Sequence, residues 1–363
     1  MAKLVSADLT GDKLCTLTYT TTDGKMLSFD EDTFDAKIIS HSYTNMGIVM
    51  FDKLISLIGV AAFESCQRLT SITIPNSVIA IGEMAFCDCD NLMSVTIPDS
   101  VTKIGNEAFA LCNSLTSIAI PNSVIEIGNY TFSECSSLTS VSIPNSVTEI
   151  GRGAFACCTK LKAFYGKYAS SDNRCLVIDG VLNSFAPAGL IEYTIPNGIT
   201  SIGNEAFALC NNLASITIPN SVTSIDYRAF SGCSSQTAFY GKFASMDNRC
   251  LIVCGVLNSF APAKLTEYTI PNSVTEIGDW AFDNCDSLTS VTIPNSVTSI
   301  GWWVFSDCIS LKTVICKAEI PPKLGRDALP EFETLIVPEG CEEAYLNSDW
   351  RKYIVEEVEG NTE

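Results

Sequence analysis

Short stretches of the chain alternate apolar and polar residues, stop at a proline, and then begin again. In LTSITIP (69–75) Ile72 and Ile74 fall on one side of an extended chain, and Ser71 and Thr73 on the other. That alternation predicts a half-buried strand of about five residues. Pro75 lacks the N–H that a ladder needs, so the strand ends there. The next segment, SVIAIG, turns Val78 and Ile81 inward and closes on a glycine turn. AFCDCDNL then spaces Phe86, Cys89 and Leu92 three apart, which predicts a short turn of helix or irregular coil.

The unit repeats every 23 residues: residues 69–91, 92–114 and 115–137 can be laid over one another. Prolines mark it at Pro75, Pro98, Pro121, Pro144, Pro196, Pro219, Pro271 and Pro294, and two of the intervals are 52 rather than 23. Each 52-residue interval holds one longer coil, AFYGKYASSDNRCLVIDGVLNSFAPAGLIEYTIP (163–196) and AFYGKFASMDNRCLIVCGVLNSFAPAKLTEYTIP (238–271), set 75 residues apart. A unit of 23 residues cannot bury its own apolar side chains. Stacked units bury them in an apolar column, with strands of successive coils ~4.8 Å apart in a parallel ladder.

The pattern LxxIxIPxSVxxIGxxAFxxC, with its nine-fold F-x-x-C register, resembles the BspA-like leucine-rich repeats over roughly residues 48–318. The resemblance implies a mainly β solenoid: a right-handed leucine-rich repeat superhelix of 23-residue coils with a parallel β ladder and N- and C-terminal caps. It places an N-terminal cap at 1–54 and the solenoid at 55–318, with longer coils near 163–196 and 238–271. A C-terminal cap and acidic tail follow at 319–363. Physics asks for caps as well, because an open solenoid end exposes apolar cross-section and unpaired strand edges. Residues 329–363 hold ten acidic and two basic side chains, a guard against end-to-end stacking, and a solvated tail is expected after about Glu356. The family also implies a non-enzymatic binding surface, often adhesive, whose partner is a protein or a host surface component.

Composition narrows the chemistry. The formal charge is −19 and only 17% of residues are charged, which opposes a nucleic-acid partner. The longest apolar stretch near the start, ISLIGVAAF (55–63), is far short of the ~20 residues of a membrane helix, and no membrane insertion is expected. The chain opens with no signal-peptide pattern. The family points to the cell surface or to secretion and the thiols allow a reducing cytoplasm, so the compartment stays open.

Seventeen cysteines are present, nine of them in one column: Cys66, Cys89, Cys112, Cys135, Cys158, Cys210, Cys233, Cys285 and Cys308. An odd total at a fixed period predicts buried, inward thiols acting as small hydrophobes rather than a disulfide framework. Cys87 with Cys89, Cys157 with Cys158, and Cys250 with Cys254 match no strong zinc spacing, so no metal or cofactor is expected. His41 is the one histidine, and no catalytic residue is assigned.

Other motifs belong to the repeat. Gly151, Gly153 and Ala156 match G-x-G-x-x-A without a βαβ unit around them. Ser100 and Lys103 match S-x-x-K, but Ala80, Glu126 or Ser224 stands at the Lys103 position in sister coils. Asp30, Asp32 and Asp35 form a solvated acidic loop, and Asn129 heads a glycosylation sequon.

Comparison between coils separates fixed positions from free ones. Outward strand positions are nearly invariant between coils, Ser71, Ser94, Ser117, Ser140, Ser215 and Ser290 with Thr73, Thr96, Thr217 and Thr292, which predicts cross-strand hydroxyl bonds. The pair after the I-G turn varies, from Glu83-Met84 and Arg152-Gly153 to Asn204-Glu205, which predicts exposure to solvent. Aromatics and an arginine collect at these pairs: Tyr130, Tyr227, Arg228, Trp280, Trp302 and Trp303, the candidate partner-binding residues. The same rings would stack on sugar, which makes a carbohydrate-binding module the alternative, and an intracellular scaffold is a third reading. Trp302 and Trp303 would equally serve to cover the last coils. Tyr165, Tyr240 and the loops 172–174 and 247–249 form a second ridge, whose duplication suggests a structural turn.

Overall fold

The computed structural model describes residues 15–29 and 31–354. They divide into two compact units. The first holds the described residues up to Leu176 together with Asn183–Ala188, and the second holds Val177–Leu182 and the described residues from Gly189 onward. Each is a β-solenoid of 23-residue coils.

Alternating apolar positions make the first strand of most coils, as the sequence predicts; in the coil at 115–137 it shrinks to a single parallel bridge between Ile118 and Val141. Leu69–Thr73 pairs in parallel with Ser94–Thr96, bringing Ser71, Ile72 and Thr73 opposite Ser94, Val95 and Thr96. In the second unit Glu192–Thr194, Ser215–Ile218 and Ala238–Gly241 form one parallel sheet. Glu267–Thr269, Ser290–Ile293, Thr313–Cys316 and Thr334–Ile336 form another.

Each coil also carries a second, two-residue strand that the sequence reading takes for part of a turn. In the first unit Leu57–Ile58, Ala80–Ile81, Lys103–Ile104, Glu126–Ile127 and Glu149–Ile150 stack as a parallel ladder of their own. The isoleucines line up inward and the residues before them face out. The AFxxCxxL segment contains no helix; it is a run of turns, tightened by left-handed residues such as Asp88 and Leu111.

Inside, Phe63, Phe86, Phe109, Phe132 and Phe155 stack with ring centroids 5.1–5.5 Å apart and planes within 9° of parallel. Offset stacking at this separation suits the ring quadrupole. Phe207 and Phe230 repeat the stack in the second unit.

All nine column cysteines are buried. Cys89, Cys112, Cys135 and Cys158 each donate a thiol hydrogen bond of 3.1–3.2 Å to a phenylalanine carbonyl 26 residues earlier. The thiol therefore satisfies a carbonyl as well as filling space. Burial pushes the Cys66 thiol up to about 11 and raises Cys112 and Cys135 well above the usual thiol range.

At the start of the first unit, Cys15–Thr21 pairs antiparallel with Gly47–Phe51 on one side and with Leu69–Thr73 on the other. His41 packs there: its Nε2 lies 2.6 Å from the Tyr19 hydroxyl, its ring sits 5.1 Å from Phe29, and burial lowers its pKa. In the second unit, Glu342–Leu346 is a short α-helix. It buries Tyr345, whose hydroxyl donates to the Ala318 carbonyl, and Trp350 Nε1 donates to the Pro322 carbonyl. The tail expected after about Glu356 lies outside the described residues, as does Asp30. Asp35 of the acidic loop accepts from the Ser56 N–H and hydroxyl.

Candidate functional site

The variable pair after each I-G turn has a fixed backbone role. Its second residue is left-handed in coil after coil: Met84, Glu107, Tyr130, Glu205, Arg228, Trp280 and Trp303 have φ between 48° and 59°. A non-glycine residue pays roughly 1–2 kcal/mol for that conformation. Bonds between coils offset it: Tyr130 N–H donates to the Arg152 carbonyl at 3.0 Å, Trp280 N–H to the Trp302 carbonyl at 3.1 Å and Trp303 N–H to the Arg326 carbonyl at 3.0 Å. The first residue of the pair is tied as well. Asn106 Oδ1 accepts from Asn129 N–H, Asn129 Oδ1 from Arg152 N–H, and Asp279 Oδ1 from Trp302 N–H.

These positions are therefore not free of the repeat, and several do not face solvent. Asn204 and Glu205 are buried, and Tyr130, Arg228, Trp280 and Trp303 are half-buried. Tyr227 and Trp302 stand out, 48% and 54% exposed.

In the second unit the structure joins four of the six candidates. Arg228 donates from Nη1 to Glu205 Oε1 at 2.7 Å, and its guanidinium lies over the Trp280 ring, 4.5 Å from the centroid. Trp280 meets Trp303 at 5.2 Å, and Trp302 stands edge-on to Trp303 at 6.0 Å. Beneath Arg228 and Trp280 is a cavity of about 10 Å³, room for about one water molecule. Arg228 Nε and Asp283 Oδ1 are buried and unbonded there, Ser231 hydrogen-bonds Asp283, and burial raises the Asp283 pKa. Tyr227 sits beside Arg228 in the chain, where its carbonyl accepts from Asn204 Nδ2. Tyr130 belongs to the first unit and lies 5.8 Å under the Arg152 guanidinium.

The remaining motifs resolve into structure. A Cβ on Gly153 would sit 2.5 Å from the Tyr130 ring, so that glycine makes room for tyrosine. Ser100 donates to the Val78 carbonyl, and Lys103 pairs with Glu126 at 2.7 Å. Thr131 of the sequon is fully buried and bonds the Gly105 and Gly128 carbonyls. Asp172 accepts from the Ser170 hydroxyl and Arg174 N–H, and Arg174 Nη1 caps the Ala186 and Ala188 carbonyls. The duplicated loop is thus the structural turn. The outward strand hydroxyls do not ladder as expected: among the described residues only Ser71 of that face bonds another side chain, Thr20. No helix of the described residues is long and apolar enough to cross a membrane.

The edge offers π faces, an indole N–H, a guanidinium and flanking carboxylates on a rigid backbone. Such groups hold a partner by burial, stacking and hydrogen bonding.

The family model for the BspA type leucine-rich repeat region matches in six copies, over residues 56–171, 182–261 and 256–325. No curated protein matches the chain. Among solved structures, the chain is 25% identical to a leucine-rich cell surface protein from Faecalibacterium prausnitzii, with a TM-score of 0.45, covering 87% of this chain and 95% of that one. A leucine-rich repeat protein from Eubacterium ventriosum is 24% identical with a TM-score of 0.53, covering 77% and 80%. The pneumococcal vaccine antigen PcpA is 18% identical with a TM-score of 0.51, covering 81% and 82%. The last two share the fold.

Proposed function

Because the chain belongs to the BspA-type leucine-rich repeat family, we propose that it is a non-enzymatic binding protein, acting in protein–protein interaction or adhesion through the turn edge of its second unit. The observation that carries this reading is the exposure of Tyr227 and Trp302 beside a stacked Arg228, Trp280 and Trp303. Exposed aromatic and arginine side chains are the residues that dominate interface energetics, and rigid ones lose little entropy on binding. Arg228, Trp280 and Trp303 support the edge, and Tyr227 and Trp302 meet the partner. Tyr130 with Arg152 is a smaller version of the same arrangement in the first unit.

We further propose that residues 1–54 and 319–363 cap a repeat region spanning 55–318. The antiparallel strand laid on Leu69–Thr73 and the aromatics Tyr345 and Trp350 on the last coil support this division.

The test uses the immobilised chain to capture proteins from native lysate and from host-cell surface extract, followed by affinity measurement with each purified partner. A variant carrying Tyr227→Ser and Trp302→Ser, its fold checked by circular dichroism, is measured in parallel. The expected result is a partner whose affinity falls at least about tenfold in the variant. Equal affinity for both proteins would reject this edge as the binding face.

A further inference from the structure

The sheet face of the second unit carries a different arrangement from the turn edge, and it leads beyond protein binding. In the sheet of Glu192–Thr194, Ser215–Ile218 and Ala238–Gly241, Thr194, Thr217 and Tyr240 are in register, and Glu192 lies opposite Ser215. Tyr193, Ile216 and Phe239 point inward and are buried, which fixes Glu192, Thr194, Ser215, Thr217 and Tyr240 on the outer face. These side chains line an open groove of about 380 Å³.

Three observations set this groove apart. First, none of the five side chains makes a hydrogen bond or ion pair with another of the described residues. Second, the Tyr240 ring is 44% exposed, and the chain just after it is pinned by Lys242, whose Nζ donates to the Val222 carbonyl at 2.6 Å and the Asn220 carbonyl at 3.2 Å. Third, the combination occurs once among the described strands. The sheet that follows repeats Glu267, Thr269, Ser290 and Thr292 but has Ile315 in place of the ring. In the first unit Tyr165 stands opposite Ser142 with no carboxylate in the paired strand.

We propose that this groove is a subsite for an uncharged sugar residue of a glycan. The C–H face of a pyranose is apolar and stacks on an exposed aromatic face, and Tyr240 supplies one. Its hydroxyls need partners that both donate and accept, as Thr194, Ser215 and Thr217 do. Glu192 accepts from two adjacent hydroxyls through charge-assisted bonds. The same carboxylate, with a net charge of −19 over the chain, opposes sialic acids, uronates and phosphates. An apolar peptide side chain could rest on the Tyr240 ring but would leave the Glu192 carboxylate and the three hydroxyls without partners. Because the groove is preformed, ordering costs on binding are small.

The full chain is applied to an array of cello-, chito-, manno- and galacto-oligosaccharides together with sialylated and oligogalacturonate glycans. The strongest hit is then titrated calorimetrically against the parent, Tyr240→Ala, Glu192→Gln and Tyr165→Ala, each with its melting temperature recorded. The expected result is retention of at least one neutral glycan and of no anionic one. Affinity should fall at least about tenfold in Tyr240→Ala and severalfold in Glu192→Gln, and hold in Tyr165→Ala. Glu192→Gln leaves the core untouched, so it decides the matter if Tyr240→Ala melts early. No neutral glycan above background, binding confined to anionic glycans, or unchanged affinity in both groove variants would overturn the proposal. The protein-binding edge is read separately, since Tyr227→Ser and Trp302→Ser do not touch this groove.

Discussion

The thiol of Cys135 is held between two coils, donating to the Phe109 carbonyl at 3.2 Å while fully screened from water. Ionisation would put a charge in an apolar column, so burial raises the pKa of Cys66, Cys89, Cys112, Cys135 and Cys158, and each of these links stability to pH. The ordinary thiol value is 9.0; Cys66 is raised to about 11 and Cys250 to about 12. A group raised in the fold stays protonated there while the unfolded chain has begun to lose the proton. Its contribution is intact below pH 9 and drains away between pH 9 and the folded value. Buried Tyr268 and Tyr345, also raised, act with the same sign. Calorimetry should therefore give a melting temperature that is flat to about pH 8.5 and falls by several degrees by pH 11; a level profile would refute the linkage. Reactivity follows the same geometry. Cys254 is exposed and Cys157 and Cys341 are half-buried, whereas the other fourteen thiols are buried. A thiol reagent at pH 8 should titrate Cys254 within minutes, Cys157 and Cys341 more slowly, and the rest only after denaturation.

Within a coil, the two strands and the turn between them answer to different signals, and only one of these was plain in the sequence. Alternation over LTSITIP is long enough to betray the first strand, and Pro75 marks its end. The second strand has two residues, Ala80–Ile81 in one coil, too few for any alternation to register. Its ladder depends on glycines that let neighbouring backbones close in. A Cβ at Gly128 would lie 2.5 Å from Asn106 N and 2.6 Å from Gly105 C. Gly128→Ala should thus cost about 1–3 kcal/mol through overpacking, read as a lower urea midpoint with an unchanged slope. The candidate site was half legible for a related reason. Residue identity picks out Tyr227, Trp280, Trp302 and Trp303, but variability between coils does not imply exposure: Trp280 and Trp303 are half-buried. The left-handed backbone at Trp280 and Trp303 carries no sequence signature, because glycine, its usual mark, fills that position only at Gly153 among the pairs compared. The sheet groove was missed because Tyr240 matters only beside Glu192, which lies 48 residues earlier.

Over the whole molecule, 41 acidic residues face 22 basic ones, and four ion pairs are found among the described residues. Three of them, Arg68–Asp23, Lys103–Glu126 and Lys312–Glu333, are open to solvent and contribute only ~0–1 kcal/mol each, too little to offset the self-repulsion of the excess acidity. Raising sodium chloride from about 0.01 to 0.15 M shortens the Debye length from ~30 to ~8 Å and should raise the melting temperature by a few degrees. A fall on adding salt would mean that attractive pairs outweigh the repulsion. The cross-coil bonds have a consequence of another kind. Phe86 and Phe109 are one period apart, as are Cys112 and Cys135, and each thiol reaches back the same 26 residues to its carbonyl. Excise residues 92–114, and Cys135 meets the Phe86 carbonyl in the place where it met Phe109. Because the joints are interchangeable, loss or gain of a 23-residue segment can shorten or lengthen this chain in steps of one coil. Its length is thus a trait that inheritance can adjust without rewriting the core.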